Sequence, residues 1–572
     1  MTVWRLAPGS PLEEAADDAL ARSAGVPRVV ARLLRRRGVE TAEQASAWLR
    51  PAAGALHDPS LLEGAEAAAD LLVSTARRGG RIVVFGDYDV DGVTAVAQLR
   101  AALRGAGADA VAFIPHRLRD GYGLRPDTVR RVLAECAPSA IVTVDCGITA
   151  RDGVACAREA GVDVVVTDHH LVPRELPEGA IVVNPRQPGC RYPEKDLAAA
   201  GIALKLAQAV SRRAGTALSV ESLLRAAALG TIADMVPLSG ENRVIAARGL
   251  AALAACRAPG LRALLAEAGL APGAAPTSEE VAFRLAPRLN AAGRLDTALL
   301  ALALLEERDA SRAVAIARDL SLRNAERRTL ERRVVAEARE RVEGRKGGSA
   351  GGALIVEADA GWHRGVLGIA ASRLAREYHR PVLLFGIEGD RASGSGRSIP
   401  GVLLHGLLEQ VAHHFTEFGG HEQAVGGSLP AASLEDFRAE ATALFAERIP
   451  PGLLEPAREA DAALALEDIG PELVDALARL EPHGQANARP IFLARGARAA
   501  SAFSALGETG LAGRLRAPRR NLRAVAWDPG DGLARLTESG AAMDLLYRIE
   551  GPRNGFPESI EIVEARAAEN AA

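Results

Sequence analysis

From Arg81 onward, short continuous runs of apolar and β-branched residues alternate with Ala/Leu/Arg segments of helical period. The succession reads RIVVFGDYD, TAVAQLRAALRGAG, ADAVAFIP, a helix ending near Cys136, SAIVTVDCG, ARDGVACAREAG and VDVVVTDHH. This is a βαβ series. Strands that are apolar throughout, lying between amphipathic helices, predict a parallel sheet covered on both faces, the doubly wound α/β architecture. Ligands of such sheets gather outside the carboxyl ends of the strands. The polar clusters of this segment fall at those ends.

Residues from about 197 to 345 have a mostly helical pattern that finishes in RNAERRTLERRVVAEARERVEGRK, with Glu and Arg interleaved at helical spacing. Two readings of this connecting helix stay open: a solvated helix laced with ion pairs, or a helix that lies on nucleic acid. The Gly-rich stretch GRKGGSAGG (344–352) marks a boundary. A second α/β unit begins with ALIVEAD, continues through GWHRGVLGIAASRLAREYHRPVLLF and closes near Pro450–Pro451. After Gly470 the segments RPIFLARGARAASAF, RAVAWDP and MDLLYRIEGPRNGFPESIEIVEAR alternate apolar and polar residues, as half-exposed antiparallel strands do, and predict a small β-barrel. The expected division is an extension over 1–45, an α/β unit over 46–304, a connecting helix over 305–348, a second α/β unit over 349–452 and a barrel over 453–572.

At 572 residues the chain is too long for one core, which agrees with several modules. The 48% hydrophobic and 25% charged residues are those of a soluble globular protein, and no apolar run is long enough to span a membrane. The opening MTVWRLAPGSPLEEAADD puts acids where a secretory signal has its apolar stretch, so a cytoplasmic protein is expected; a monomer is expected as well. The five cysteines form no CxxC pair, which argues against a zinc module or a disulfide framework, and they read as small buried residues. A net charge of -3 does not advertise a polyanion binder, but it averages over modules and hides local basic surface. Basic residues are nearly all Arg, a compositional bias that carries no functional weight.

Three strand ends carry acid or imidazole. The first, GDYDVDG, holds Asp87, Asp89 and Asp91, with a helix expected to begin near Val93. Alternate residues of an extended segment point the same way, so the three carboxylates could face one direction. Carboxylates that close repel, and a divalent cation relieves them; all-oxygen ligands favour Mg²⁺ or Mn²⁺. An acidic helix-capping turn explains the motif equally well when it stands alone. The second end, VTVDCG, brings Asp145, and the third, VVVTDHH, brings Asp168, His169 and His170. Gathered at one sheet edge, such mixed donors suit a pair of Mn²⁺ or Mg²⁺ ions, the arrangement that clamps an in-line phosphoryl displacement. A further acid, Asp234 in LGTIADMVPL, lies in apolar surroundings that make an unpaired carboxylate expensive.

The ordered set GDYDVDG, VDCG, TDHH and GTIADMVPL resembles motifs one to four of the DHH phosphoesterases, named for the tripeptide found here as Asp168–His169–His170. The resemblance implies that Asp89 and Asp145 hold one metal, with Asp87 completing that site or orienting its water. It implies that Asp91, Asp145, His169 and Asp234 hold the other, Asp145 bridging. His170 would donate to the scissile phosphate, Asp168 would fix an imidazole tautomer, and no separate protein general base is assigned.

The later segments extend the resemblance to the RecJ-type exonucleases of that family. LAPRLNAAGRL (285–295) is similar to their element after motif four, and Arg288, Arg294 and Arg117 would suit a phosphate clamp; ion-paired surface arginines are the alternative. GWHRGVLGIAASRLA, SGSGRSIPG and FGGHEQAVGG resemble the DHH-associated substrate domain, with His363, Arg373, Ser395, Arg397 and His421 offering donors to a polyanion. The final segment, including EPHGQANARPIF (481–492), resembles the family's OB fold, a barrel suited to single strands. The likeness runs from about residue 40 to the C-terminus, and the first forty residues add little to it. It implies 5′→3′ release of 5′-mononucleotides from single-stranded DNA during recombination and repair, in company with a helicase and a single-strand-binding protein. With aromatics at only 3%, backbone and Arg contacts should dominate, giving weak sequence preference and strong salt sensitivity. Two alternatives remain: a DHH hydrolase of nanoRNA or cyclic dinucleotides, against which the extra barrel argues, and a noncatalytic relative serving as a replication scaffold, against which the complete set of Asp and His argues.

Overall fold

The computed structural model describes residues 2–7, 10–117, 119–344, 352–507, 509–518, 521–527, 529–551 and 558–568. Most of the expected Gly-rich boundary 344–352 lies outside them. The chain forms two compact units: one comprises Trp4–Ile114, Tyr122–Ala286 and Arg458–Ala572, the other Met1–Val3, Pro115–Gly121 and Pro287–Ala457.

In the first unit, β1 (Arg81–Gly86), β2 (Asp109–Phe113), β3 (Ala140–Val144), β4 (Asp163–Thr167) and β5 (Ala180–Val183) form an all-parallel sheet in the order β2-β1-β3-β4-β5. Alternation along the strands splits the core in two. Val83 and Phe85 of β1 join Val129, Val132, Val154 and Ala157 of helices Pro126–Cys136 and Arg151–Glu159 in one cluster. Ile82 and Val84, equally buried, face the other way, toward the side where helices Ala65–Arg77 and Val90–Gly105 pack. This is the doubly wound arrangement expected from the continuous apolar runs.

The second unit holds β6 (Ile355–Asp359), β7 (Val382–Glu388), β8 (Arg391–Arg397), β9 (Glu417–His421) and β10 (Ala424–Pro430), in the order β9-β10-β8-β7-β6. Only β6 and β7 are parallel, joined through helix Arg364–Tyr378. The connecting helix runs from Ala310 to Gly344, inside the expected span 305–348. The solvated reading holds for one face only. Ion pairs Arg323–Asp319, Arg327–Glu331 and Arg333–Glu337 recur at helical spacing, while Val334, Val335, Ala338 and Val342 are buried in the core of this sheet.

The C-terminal sheet belongs to the first unit. It comprises β11 (Ala462–Ala463), β12 (Phe492–Ala497), β13 (Ser504–Leu506), β14 (Gly510–Leu515), β15 (Leu522–Trp527), β16 (Met543–Glu550) and β17 (Ser559–Ala567), ordered β11-β12-β16-β17-β15-β14-β13. The expected antiparallel pairing is broken twice, where β11 runs parallel to β12 and β15 to β17. Strand alternation reports which residues face a core, not which strand lies beside which. The first residues also do more than expected. Helices Pro11–Ala24, Arg28–Arg35 and Ala42–Leu49 lend Leu20, Val30, Leu33, Leu34 and Trp48 to the core of this C-terminal sheet.

Arg243 is the polar keystone of the same unit. It is 2% exposed, lies 4.7 Å over the Trp48 ring and donates to four carbonyls: Trp48 (2.8 Å), Glu481 (2.8 Å), Arg479 (3.3 Å) and Pro482 (3.3 Å). Beside it, the amide of Leu238 donates to the Gln485 carbonyl at 2.8 Å. All five cysteines are unpaired; Cys146 and Cys256 are buried as expected, but Cys136, Cys156 and Cys190 keep partial exposure. Among the described residues no single helix is long and apolar enough to cross a membrane.

Candidate metal centre and nucleic-acid-binding residues

The carboxyl ends of β1, β3 and β4 lie side by side because β3 pairs with both neighbours in register, Gly86 opposite Val144 and Val144 opposite Thr167. The residues that follow each strand therefore converge. Asp87, Asp89 and Asp145 bring one oxygen each within 4.8 Å of one another, and Asp91, His169 and Asp234 do the same, as do Asp145, His169 and His170. His169 spans the sets, with Nε2 at 3.2 Å from Asp145 Oδ1 and Nδ1 at 3.7 Å from Asp234 Oδ2.

The local backbone differs from the extended run expected over Asp87–Asp91. Asp89 is the N-cap of helix Val90–Gly105, its Oδ1 accepting from the amides of Asp91 (2.9 Å) and Gly92 (3.1 Å). The helix thus begins three residues before Val93, and Asp91 sits in its first turn. Asp91 reaches the cluster because the helix carries it there, buried at 1% exposure, with Ala199 and Ala200 amides donating to its two oxygens at 2.7 and 2.8 Å. Those amides open helix Ala199–Ala214, whose N-terminal dipole favours a negative charge. Gly92 is required by close approach, since a Cβ there would lie 2.6 Å from the Asp87 carbonyl oxygen.

Asp145 adopts a left-handed backbone, φ 63°, which turns the chain sharply off β3. Such conformations are uncommon outside glycine and concentrate at functional sites. Tyr122, which the sequence did not single out, holds this turn, its hydroxyl donating to the Asp145 carbonyl at 3.1 Å while its ring meets His170 edge-on at 6.1 Å. A lone tyrosine in a Gly-rich turn carried no periodic signal.

Asp168 is 1% exposed and serves as an anchor. Its Oδ2 accepts from the Ile148 amide (2.9 Å), and its Oδ1 accepts from the His169 and His170 amides (2.8 and 3.1 Å) and meets His170 Nδ1 at 2.7 Å. Although burial opposes it, these hydrogen bonds hold the Asp168 carboxyl below the usual range. Burial likewise works against a charged His170, yet Asp168 and the nearby Asp87 and Asp91 raise its pKa overall. The imidazole is fixed by Nδ1, leaving Nε2 as the donor.

The electrostatics fit divalent cations. Burial, then the charges of Asp89, Asp91, Asp87 and Asp234, push the Asp145 carboxyl well above the usual range. Burial and Asp89 push Asp91 up to about 7; burial with Asp91, Asp89 and Asp87 pushes Asp234 up to about 9. Five carboxylates and one imidazole in this space are a donor set for Mn²⁺ or Mg²⁺. These folded-state pKa values lie above the ordinary 3.8, so without metal the stability they contribute is complete below about pH 4 and is lost as pH rises through 7 to 9. Thermal unfolding in chelator should show Tm falling from pH 6 to pH 8.5, and Mn²⁺ should remove most of that fall. A metal-induced gain in Tm that is the same at both pH values would contradict the cluster's electrostatics.

The other nominated residues all lie in the second unit. Two of them are bonded to each other. Arg397 Nη1 donates to Ser395 Oγ at 3.1 Å and to the Gly396 carbonyl at 2.7 Å, and Ser395 Oγ donates to the Val425 carbonyl at 3.3 Å. Burial first, then the charge of Arg117, lowers the Arg397 pKa. Gly368 makes the room: a Cβ there would stand 2.9 Å from Arg397 Nη2 and 3.0 Å from Ser395 Oγ. Arg397 held beside the Ser395 hydroxyl, with the charge of Arg117 acting on it, offers donors suited to a phosphate. His363 has a local task, capping helix Arg364–Tyr378 with Nδ1, which accepts from the Gly365 amide at 3.1 Å. Arg288 and Arg294 ride helix Ala286–Leu295, where Arg288 Nε donates to Ser321 Oγ at 3.2 Å. Arg373 is exposed on helix Arg364–Tyr378, and His421 is exposed at the end of β9.

Comparison with known proteins agrees with this geometry. Residues 81–231 match the N-terminal domain of the DHH family, 351–447 the DHHA1 domain and 460–555 the RecJ OB domain. The single-stranded-DNA-specific exonuclease RecJ of Bacillus subtilis is 37% identical over 471 residues, covering 82% of this chain, and the chain spans 59% of that relative's length. The protein of the same description from Salmonella typhimurium is 36% identical over 498 residues, covering 83% of this chain and 85% of its own. Among solved structures, RecJ from Thermus thermophilus with Mn²⁺ superposes with a TM-score of 0.83 at 33% identity, covering 99% of this chain and 80% of that one. The same protein with Mg²⁺ gives 0.77 at 31% identity, covering 99% and 79%. Three modules matched in order, and more than a third of positions shared with relatives over most of the chain, place this protein in the RecJ family of DHH phosphoesterases.

Proposed function

We propose that the chain is a metal-dependent exonuclease that degrades single-stranded DNA in the 5′→3′ direction, releasing 5′-mononucleotides in recombination and repair. The observation that carries this is the convergence of Asp87, Asp89, Asp91, Asp145, His169 and Asp234 at one sheet edge. Asp89 and Asp145, with Asp87, would hold one divalent cation, and Asp91, Asp145, His169 and Asp234 the other. Two such ions, when bound, supply an activated water and neutralise the charge of an in-line displacement. The chain's own groups do the rest. Asp168 fixes the His170 tautomer, so that Nε2 donates to a phosphate oxygen, and Tyr122 holds the turn that aims Asp145. Arg117, Ser395 and Arg397 grip a phosphate of the strand, and the barrel over 453–572 tracks it further. The chain would then comprise a catalytic domain over 46–304, a connecting helix over 305–348 and a substrate domain over 349–452. A helicase and a single-strand-binding protein would supply the strand, and five unpaired thiols fit a reducing cytoplasm.

The test is digestion of long single-stranded DNA labelled at either end. Early release of the 5′ label is expected, and early release of the 3′ label, or intact long strands, would overturn the reading. Arg397→Ala and Arg117→Ala should each raise KM about 10-fold and shallow the slope of log affinity against log salt by about 1, with kcat little changed. A steady-state series at several salt concentrations checks this, and unchanged KM in both variants would remove the phosphate cradle from the proposal.

A further inference from the structure

In the second unit, the short turn Ala412–His414 faces helix Leu434–Arg448. Consecutive residues of a 3₁₀ turn leave the axis about 120° apart, yet both histidine rings of this turn meet the same carboxylate. His414 Nε2 lies 2.8 Å and His413 Nε2 3.2 Å from Glu440 Oε2, and the two ring centroids are 4.3 Å apart. The pose is supported from behind. His414 sits edge-on to Phe437 at 5.8 Å, and Phe437 precedes Glu440 by three residues, on the same helix face. Phe415 packs on that ring as well, at 5.0 Å. His414 is 12% exposed, while His413 at 61% and Glu440 at 48% leave the rim open to solvent.

We propose that His413, His414 and Glu440 form a transition-metal site, with Zn²⁺ as its occupant, built from none of the residues of the carboxylate centre. The three ligand atoms lie within 4.8 Å of one another. Tetrahedral Zn²⁺, with bonds of about 2.0–2.1 Å, separates its ligand atoms by about 3.3 Å, so the observed spacing needs little adjustment. Two imidazoles and one carboxylate select Zn²⁺, Ni²⁺ or Cu²⁺ over Mg²⁺ and Ca²⁺, which demand oxygen. Three protein ligands leave the fourth position to water. The ion would clasp the turn that leads into β9 onto helix Leu434–Arg448, bracing the strand that ends at His421.

The test uses the full chain, stripped with chelator and then titrated with Zn²⁺ by calorimetry, beside His413→Ala and Glu440→Gln. The carboxylate centre, with its Asp and His donors, offers ligands to Zn²⁺ as well, so the readout is a difference. The wild type should bind one equivalent more than either variant, or bind that equivalent at least about 10-fold more tightly. Cu²⁺-loaded protein should show electron paramagnetic resonance splitting from two imidazole nitrogens that His413→Ala reduces to one. Mn²⁺-dependent nuclease activity should be unchanged in both variants, which also shows that they fold. Equal stoichiometry and affinity in all three proteins would overturn the proposal.

Discussion

Asp145→Ala should abolish hydrolysis of single-stranded DNA, with a loss of at least about 10³-fold, equivalent to about 4 kcal/mol of transition-state stabilisation. Its carboxylate is grouped both with Asp87 and Asp89 and with His169 and His170, so one substitution impairs both proposed ion sites. DNA affinity should survive, because the basic residues nominated for it belong to the other compact unit. The left-handed φ of 63° at this position suits alanine less well than aspartate or asparagine, so Asp145→Asn serves as the companion variant. It keeps shape and backbone preference and should be as inactive. Turnover by either variant within about 10-fold of the wild type, in a Mn²⁺ assay with binding followed by fluorescence anisotropy, would refute the shared-ligand assignment.

Arg243→Ala should destabilise the first unit by about 4 kcal/mol, among the largest effects a single buried substitution produces. Burial lowers the Arg243 pKa to about 10, so the group is charged at neutral pH and is satisfied chiefly by carbonyl oxygens and a ring face. Truncation would strip four carbonyls of their donor, those of Trp48 and Pro482 in buried bonds and those of Arg479 and Glu481 in part-buried ones, and open a cavity beside Trp48. Arg243→Lys retains the charge without the planar fork, and about 2 kcal/mol should be lost. Urea unfolding of the full chain decides it: an alanine variant within about 1 kcal/mol of the wild type would show that the carbonyls find other donors. Catalysis should be impaired only through the folded fraction, since Arg243 is not a ligand of the metal centre.

The sheet and the centre were legible in sequence for a common reason. Runs such as IVVF, AIVTV and VVVT can be buried on both faces only in a parallel sheet, and the polar residues that stop them must then lie at one edge. Asp87, Asp145, Asp168 and His169 were found in that way. Asp91 was nominated on a mistaken geometry: the cap formed by Asp89 starts the helix earlier, and the residue arrives on a helical turn rather than an extended one. Tyr122 and the Ala199 and Ala200 amides were not found, because their contribution depends on loops and helix ends brought close by tertiary packing. The same limit hid Arg243, whose partners are backbone carbonyls at Trp48, Arg479, Glu481 and Pro482, and His413 with His414, whose carboxylate partner comes from another helix. His363 was nominated as a DNA contact, and the structure gives its Nδ1 to a helix cap; composition around a Gly-rich turn does not tell these roles apart.

The packing of Leu20, Val30, Leu33, Leu34 and Trp48 against Phe492, Leu545, Tyr547 and Ile562 has a consequence during synthesis. The first helices are made roughly 400 residues before the start of the sheet they pack on, Ala462–Ala567. At about 5–20 residues per second that interval is roughly 20–80 s. Throughout it their apolar faces have no native cover, so the nascent chain must be shielded by a holdase or by transient contacts. A chain truncated before β12 would keep its catalytic sheet and still carry these helices as adhesive surface. Loss of the last module should therefore appear first as aggregation, before any change in the chemistry of the metal centre can be measured.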